Sequence, residues 1–75
     1  MSTLAELTVG SRARVAAVDG TDPVSVRLLE MGLTPGVELK VVGVAPLGDP
    51  LELEVRGYRL SVRKSEARLV AVQQS

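Results

Sequence analysis

The sequence lacks the residues that most often build catalytic and metal sites. Among its 75 residues there is no cysteine and no histidine. Neither a disulfide nor a zinc site made of thiolates and imidazoles can therefore stabilise the fold. The serines have no imidazole to act as their base, and no pair of carboxylates sits on a recognisable scaffold. We therefore expect a protein that is not an enzyme, with no catalytic residues, no resident metal and no cofactor.

Aromatic residues and net charge are equally scarce. Tyr58 is the only aromatic residue, and nine basic residues balance nine acidic ones. Proteins that bind nucleic acids or anionic membranes usually carry an excess of basic charge, and binders of single strands also present aromatic rings for stacking. The composition therefore predicts neither a nucleic-acid binder nor a protein that binds a membrane directly.

No hydrophobic run is long enough to cross a membrane. The longest mostly apolar stretch, residues 41–47, is interrupted by Gly43 and Pro46 and falls far below the roughly 18 residues that a membrane helix needs. The first residues carry neither a basic segment nor a long apolar segment, so they are not typical of a signal peptide. The absence of cysteine suits a reducing compartment. These features predict a cytoplasmic protein.

What the sequence does contain is aliphatic. Hydrophobic residues make up 45% of the chain, and almost all of them are Val, Leu and Ala. A chain of this length buries only about 60% of the surface that its unfolded form exposes. We therefore expect one small domain over residues 1–75, with an ordered core over about 4–73 that depends on aliphatic packing.

A short helix is predicted near the middle of the chain. Thr21 or Asp22 can cap its start, and Pro23 suits the first helical position because no partner is required for a backbone N–H there. The helix then runs roughly through Met31, and Gly32 supplies the positive φ that commonly ends a helix. These signals predict that the structural role of Gly32 is to stop the helix.

A tight turn follows the helix. Thr34-Pro35-Gly36 is typical of a type II turn, in which Pro35 presets φ and Gly36 tolerates a positive φ. Arg56-Gly57 is a second turn, and it joins two segments of strict apolar–polar alternation. Pro35, Gly36 and Gly57 are therefore predicted to be structural turn residues.

The remaining segments predict a mostly β protein. Five strands are expected, over residues 12–18, 37–45, 51–55, 58–62 and 69–72. In the first of them Ala13, Val15 and Ala17 share one face, and Gly43 indicates a bulge in the second. Tyr58 falls on the inner face of the fourth strand, and residues 64–67 form one helical turn. About five short strands, with one helix between the first two long ones, favour a small closed or partly open barrel.

The chain as a whole resembles the FeoA family, the small cytoplasmic partner of the bacterial ferrous iron transporter FeoB. The resemblance covers nearly the whole chain, in order and at the expected spacing. The motifs that carry it are Leu4-x-x-Leu7-x-x-Gly10, Arg27-Leu28-Leu29-x-Met31-Gly32-Leu33-x-Pro35-Gly36, Gly48-Asp49-Pro50, Val55-x-Gly57-Tyr58-x-Leu60-x-Val62-Arg63 and Glu66-Ala67. The resemblance implies an SH3-like barrel with an inserted helix. It also implies a non-catalytic role in supporting or regulating FeoB, a membrane permease with a cytosolic GTPase domain.

The helix has apolar residues on two sides. On a wheel of 100° per residue, Val24, Leu28 and Met31 share one face and are predicted to face the core, whereas Val26 and Leu29 lie on the opposite side. One interpretation places Val26 and Leu29 under the Pro46–Pro50 loop or the N-terminal turn. The other leaves them as an exposed patch for a partner, because exposed apolar patches mark interaction sites. Leu47, at a loop tip, extends that patch.

The candidate partner-binding residues are therefore Val26, Arg27, Leu29 and Leu47. Arg27 lies beside the core-facing side of the helix, where a surface arginine is expected, and an arginine finger for a neighbouring GTPase is the alternative. Glu52 and Glu54 share a face, but carboxylates without imidazole are a poor set of ferrous ligands, so solvated strand charges explain them better.

The expected partner is a FeoB-like membrane GTPase transporter, which would place the protein at the inner face of the cell membrane. Weak self-association is the other expected contact. One alternative function is a small-barrel module that binds nucleic acid or another protein. A further alternative is a role like that of the FeoA-like domain at the C-terminus of some iron-dependent repressors.

Overall fold

A computed structural model describes residues 2–74, which form one antiparallel sheet with two short helices. A 3₁₀ turn over Leu4–Glu6 follows the first strand. The helices are α1, Pro23–Glu30, and α2, Lys64–Ala67. The strands are β1 (Ser2–Thr3), β2 (Arg12–Val18), β3 (Glu38–Val44), β4 (Leu51–Val55), β5 (Tyr58–Val62) and β6 (Val70–Gln74). Their order in the sheet is β1-β6-β2-β3-β4-β5, so β1 and β5 occupy its two ends.

The core is built from the apolar side of this curled sheet. On β4 the residues alternate strictly, with Leu51, Leu53 and Val55 buried and Glu52 and Glu54 exposed. Aliphatic side chains from the other strands and from the connecting turns pack against these buried β4 residues. Those that are fully buried include Leu4, Leu28, Leu33, Val15, Val41, Val62, Val70 and Val72. The mostly β fold, with a helix between the first two long strands, is as the sequence predicted.

The strand count and one face assignment differ from the sequence-based expectation. The two-residue β1 adds a sixth strand by pairing with β6. On β2 the pairing with β6 shifts between Val15 and Ala17, which leaves an extra residue in the strand. A bulge of this kind reverses the alternation beyond it. The prediction that Ala17 shares a face with Ala13 and Val15 was therefore wrong: Ala13 and Val15 are buried, whereas Ala17 is exposed and Val18 is half-buried.

The bulge predicted in β3 is present. The register between β3 and β4 shifts between Val41 and Gly43, so Val42 is the extra residue. The last strand starts one residue later and runs two residues further than predicted, because β6 pairs along the length of β2 as well as with β1.

Helix α1 begins and ends as its local sequence indicates. The Asp22 carboxylate accepts a hydrogen bond from the Ser25 backbone N–H at 2.9 Å, with Pro23 in the first helical position. At the other end, Gly32 has φ of 106°. The N–H of Gly32 donates to Leu29 O at 3.0 Å and the N–H of Leu33 donates to Leu28 O at 3.2 Å. This pair of bonds is the Schellman arrangement, and it brings the buried Leu33 back onto the helix.

Both predicted turns are formed. In the first, the Val37 N–H donates to Thr34 O at 3.1 Å, and Gly36 has φ of 91°. In the second, Arg56 and Gly57 have φ of 52° and 85°. Two successive positive φ values define the type I′ turn, which matches the twist of an antiparallel hairpin. This turn fixes the β4–β5 register and places Glu54 opposite Arg59.

Tyr58 is not the core residue that its position in the alternating pattern predicted. Its side chain is 44% exposed. The phenol hydroxyl donates a hydrogen bond to Met31 O, 2.8 Å away at the end of α1. This hydrogen bond ties the end of α1 to the start of β5, which lies at an end of the sheet.

Candidate functional site

Helix α1 presents one face to the core and the other to solvent. Leu28 is fully buried, and Val24 and Met31 are half-buried, as the helix wheel predicted. Ser25 is also buried, and its Oγ donates to Asp19 O at 2.6 Å. The helix wheel did not find Ser25, because the wheel scores apolarity. The signal available in the sequence was the three-residue spacing from the capping Asp22.

The outward face of α1 carries two aliphatic side chains. Val26 is 46% exposed and Leu29 is 37% exposed. These are two of the six large hydrophobic residues exposed within residues 2–74; the others are Val9, Val44, Leu47 and Tyr58. Val26 and Leu29 lie one helical turn apart, so they form a single small patch, which we call the α1 patch.

Arg27 lies next to the α1 patch and is tied to the second helix. Its guanidinium forms an ion pair with the Glu66 carboxylate of α2. The other oxygen of Glu66 accepts a hydrogen bond from the Arg63 backbone N–H at 3.2 Å, at the start of α2. One carboxylate therefore caps α2 and holds α1 through Arg27. The Arg27 side chain remains 55% exposed, so part of its length is open to solvent.

Leu47 lies on the loop that joins β3 to β4. It is 97% exposed at the tip of a turn closed by the Gly48 N–H donating to Ala45 O at 2.7 Å. The loop is anchored where the Asp49 carboxylate accepts from the Lys64 N–H at 3.0 Å. An apolar cleft lies beside this loop, lined by Leu7, Thr8, Val9, Val44, Gly48, Leu51 and Lys64. Neither Leu47 nor any residue of α1 lines this cleft, so the cleft is an apolar region distinct from the α1 patch.

A shallow groove of mixed charge crosses the open side of the sheet. It is lined by Arg12, Glu38, Leu39, Lys40, Glu54, Arg56 and Gly57. Nearby, Arg14 pairs with Glu38 at 3.6 Å, with both side chains largely in solvent. Basic and acidic groups alternate along this surface, which does not form the one-signed stripe that a phosphate backbone requires.

Acidic residues are dispersed over the described surface. Within residues 2–74 no three of them come together as a group that would hold a metal ion. Glu52 and Glu54 point outward from β4 and are exposed. None of the helices in this part of the chain has the length and apolar character needed to cross a membrane.

Two carboxylates have perturbed acidities, and both are helix caps. The hydrogen bond from the Ser25 backbone N–H lowers the pKa of Asp22 below its ordinary value. The hydrogen bond from the Thr3 backbone N–H, at 2.8 Å, likewise lowers the pKa of Glu6. In both cases the bond favours the ionised form. Both pKa shifts therefore follow from hydrogen bonds that cap helices, and they do not indicate acid–base catalysis.

The chain matches the model of one protein family and resembles several characterised proteins. The FeoA domain model matches residues 2–74. A curated relative, the Fe(2+) transport protein A/Fe(2+) transporter FeoB fusion protein of Porphyromonas gingivalis, is 36% identical over 70 residues. That match covers 93% of this chain but only 8% of the relative, so the chain spans a small part of that protein's length.

Solved structures show the same fold. The FeoA-like protein of Clostridium acetobutylicum is 37% identical with a TM-score of 0.91, over 97% of this chain and 85% of that one. The zinc-complexed FeoA of Stenotrophomonas maltophilia, described as a prokaryotic SH3 domain protein, is 35% identical with a TM-score of 0.84, over 97% and 91%. The manganese regulator SloR, at 18% identity and a TM-score of 0.84, covers 99% of this chain and 34% of that one, and shares the fold alone.

Proposed function

Because this chain belongs to the FeoA family, we propose that it is a non-catalytic accessory protein of ferrous iron uptake that binds the cytosolic part of a FeoB-like transporter. One observation carries the proposal: in the Porphyromonas gingivalis relative, a segment similar to nearly all of this chain is part of a FeoB fusion protein. Fusion places two modules at a high effective concentration, which favours a weak contact between them.

The α1 patch is the surface that fits this role best. Full burial of an aliphatic side chain is worth about 1.5–3 kcal/mol. Val26 and Leu29 are each more than half covered already, so docking gains about half of that from each. A contact of this size is weak on its own and is reversible, which suits a regulatory partner. The ion pair between Arg27 and Glu66 lies beside the patch and links α1 to α2.

This proposal places the protein at the inner face of the membrane through its partner and not through a lipid contact. The mixed charge of the sheet surface does not favour anionic lipids or nucleic acid, because both need an excess of basic groups. Arg27 is engaged with Glu66, so we assign it a positioning role. Action as an arginine finger would require that the ion pair open.

The test is co-purification with a full-length FeoB-like transporter from the same cell, with and without a GTP analogue. Wild type and two variants are compared. Leu29→Asp charges the α1 patch, and Leu47→Asp makes the same change on the loop between β3 and β4. We expect wild type and Leu47→Asp to co-purify and Leu29→Asp to be lost. If Leu47→Asp is the only protein that fails to co-purify, the interface lies on the loop. If neither wild type nor a variant co-purifies, the proposal is wrong.

A further inference from the structure

The outer edge of β5 is open. Within residues 2–74, β5 is the last strand of the sheet and pairs only with β4. The pair that flanks a two-residue turn is hydrogen-bonded, and hydrogen-bonded and non-bonded pairs alternate along an antiparallel ladder. Tyr58, Leu60 and Val62 therefore direct their backbone groups to β4. Arg59 and Ser61 direct theirs away from the sheet.

The backbone groups of Arg59 and Ser61 find no partner within residues 2–74. Neither residue takes part in a backbone hydrogen bond outside the ladder. No side chain bonds to them either. Both residues are exposed, so water reaches this edge and an added strand could do so too. An unpaired edge is a template for another extended chain.

The charge of this segment has one sign. From Arg56 to Ser65 the chain carries Arg56, Arg59, Arg63 and Lys64 and no acidic residue. Antiparallel pairing of two β5 strands about Leu60 would set Arg59 beside the other copy's Ser61. It would also bring together the basic residues just beyond the strand ends, Arg56 in the turn and Lys64 in α2. Like charges in neighbouring positions oppose such pairing. The edge is therefore protected against a second copy of itself, while an acidic strand is attracted.

The two sides of an added strand would meet different surroundings. The outward side is solvated. An added strand would meet Arg59 and Ser61 first, and Glu54 and Glu52 lie one strand further away, on β4. The inward side lies next to Leu60, which is half-buried against the core. Because successive residues of a strand point to opposite faces, the matching ligand alternates acidic and aliphatic residues.

We propose that the β5 edge binds an extended acidic segment of a partner protein by strand addition, with Arg59 and Ser61 donating and accepting the main-chain hydrogen bonds. In this mode of recognition main-chain bonds give affinity and alternate side chains give specificity. This surface differs from the α1 patch, and the inference does not depend on a FeoB-like partner.

The first experiment titrates the isotope-labelled full chain with two synthetic ten-residue peptides, one alternating Glu with Val and one alternating Lys with Val. We expect the Glu peptide to bind at least about tenfold more tightly, which is a measurable difference in Kd. The largest amide shifts should fall at Arg59 and Ser61, and hydrogen exchange of these two amides should slow. Equal affinity of the two peptides, or shifts spread over Arg12 and Arg14 as well, would overturn the proposal.

The second experiment uses matched variants. Ser61→Pro removes an N–H that does not belong to the β4 ladder, so the edge strand tolerates it. We expect this variant to keep its fold and to lose binding of the Glu peptide by about tenfold or more. Ser61→Ala, which keeps the N–H, should bind as wild type does. Unchanged binding by Ser61→Pro would show that the edge is not the site.

Two further variants complete the test. Arg59→Glu should reverse the preference from the Glu peptide to the Lys peptide, and failure to do so contradicts the charge argument. Leu29→Asp should bind the Glu peptide normally, even where it fails to co-purify with the transporter. This result separates the strand-addition site from the proposed function. Loss of peptide binding in Leu29→Asp would mean that the two surfaces are one.

Discussion

The hydroxyl of Tyr58 occupies the space that a side chain at residue 32 would need. Tyr58 Oη lies 2.8 Å from Met31 O, and a Cβ placed on Gly32 would overlap it. Gly32 therefore serves two purposes. Its positive φ ends α1, and its missing side chain lets a phenol from the sheet edge reach the last carbonyls of the helix.

Gly32→Ala is therefore expected to cost more than Gly36→Ala. Both residues have positive φ, and for an alanine this conformation costs about 1–2 kcal/mol. Within residues 2–74, no atom beyond the residues adjacent to Gly36 lies within 4 Å of the new Cβ, so that cost is the whole effect. At Gly32 the Tyr58 hydroxyl must also move, which adds about 1 kcal/mol for the lost hydrogen bond. Urea unfolding of both variants measures the difference.

The Tyr58→Phe background provides the control for this prediction. Once the hydroxyl is removed, Gly32→Ala and Gly36→Ala should destabilise the protein equally, because only the backbone cost remains. If the two glycine variants already match in the presence of Tyr58, the ring moves aside without loss and the contact has no energetic weight.

Leu29→Asp and Leu28→Asp should differ in their effect on folding, because the two neighbouring residues lie on the surface and in the core, respectively. Leu28 is fully buried, and burying an unpaired carboxylate there is expected to unfold a domain of this size. Leu29 is 37% exposed, so its variant should stay folded with a loss of about 1 kcal/mol or less. Circular dichroism and thermal melting distinguish the two. Unfolding of Leu29→Asp would show that this residue belongs to the core.

Replacing Glu66 should lower the stability of the fold more than replacing Arg27, although the two residues form one ion pair. Arg27→Ala removes a partly exposed pair, worth about 0.2–1 kcal/mol. Glu66→Ala removes the same pair and also the acceptor of the Arg63 N–H at the start of α2, and loss of a cap costs about 0.5–2 kcal/mol. Glu66→Gln keeps an acceptor and should resemble Arg27→Ala. Denaturant midpoints of the three variants give the order, and a Glu66→Ala variant as stable as Arg27→Ala contradicts it.

Low pH should reduce the stability that Asp22 contributes by capping the start of α1. Its folded-state pKa is lowered below the ordinary value of 3.8, chiefly by the Ser25 N–H. The ionised cap therefore stabilises the fold above about pH 3.8, and this contribution is lost as the pH falls through the folded-state pKa. Asp22→Asn still caps the helix but does not titrate there. The stability difference between wild type and Asp22→Asn should therefore shrink on acidification, and a constant difference between pH 6 and pH 2 would contradict the assignment.

The parts of the fold that sequence predicted are those specified by neighbouring residues. The helix between Asp22 and Gly32, the Pro35-Gly36 turn and the β4–β5 hairpin each depend on spacing within a few residues. Ala17 was misplaced because the β2 bulge arises from its pairing with β6. Tyr58 was misplaced because its partner, Met31, is 27 residues away, and no local pattern records that contact.

The candidate site shows the same division between local and distant signals. A helix wheel was sufficient to predict that Val26 and Leu29 lie opposite Leu28. The link from Arg27 to Glu66 and the anchoring of the Leu47 loop to α2 depend on how distant segments pack. The open edge of β5 depends on strand order, which alternation alone does not specify.

The pairing of β1 with β6 has a consequence for how this module can be joined to other proteins. Ser2 lies opposite Val72, so the two ends of the described chain leave the sheet side by side. A polypeptide attached at either end would start from nearly the same point. In both cases α1 and the β5 edge would have nearly the same position relative to it. Such a module can be appended to, or inserted within, a larger chain at little cost in loop closure. This geometry is compatible with the occurrence of a similar segment inside a far longer transporter chain.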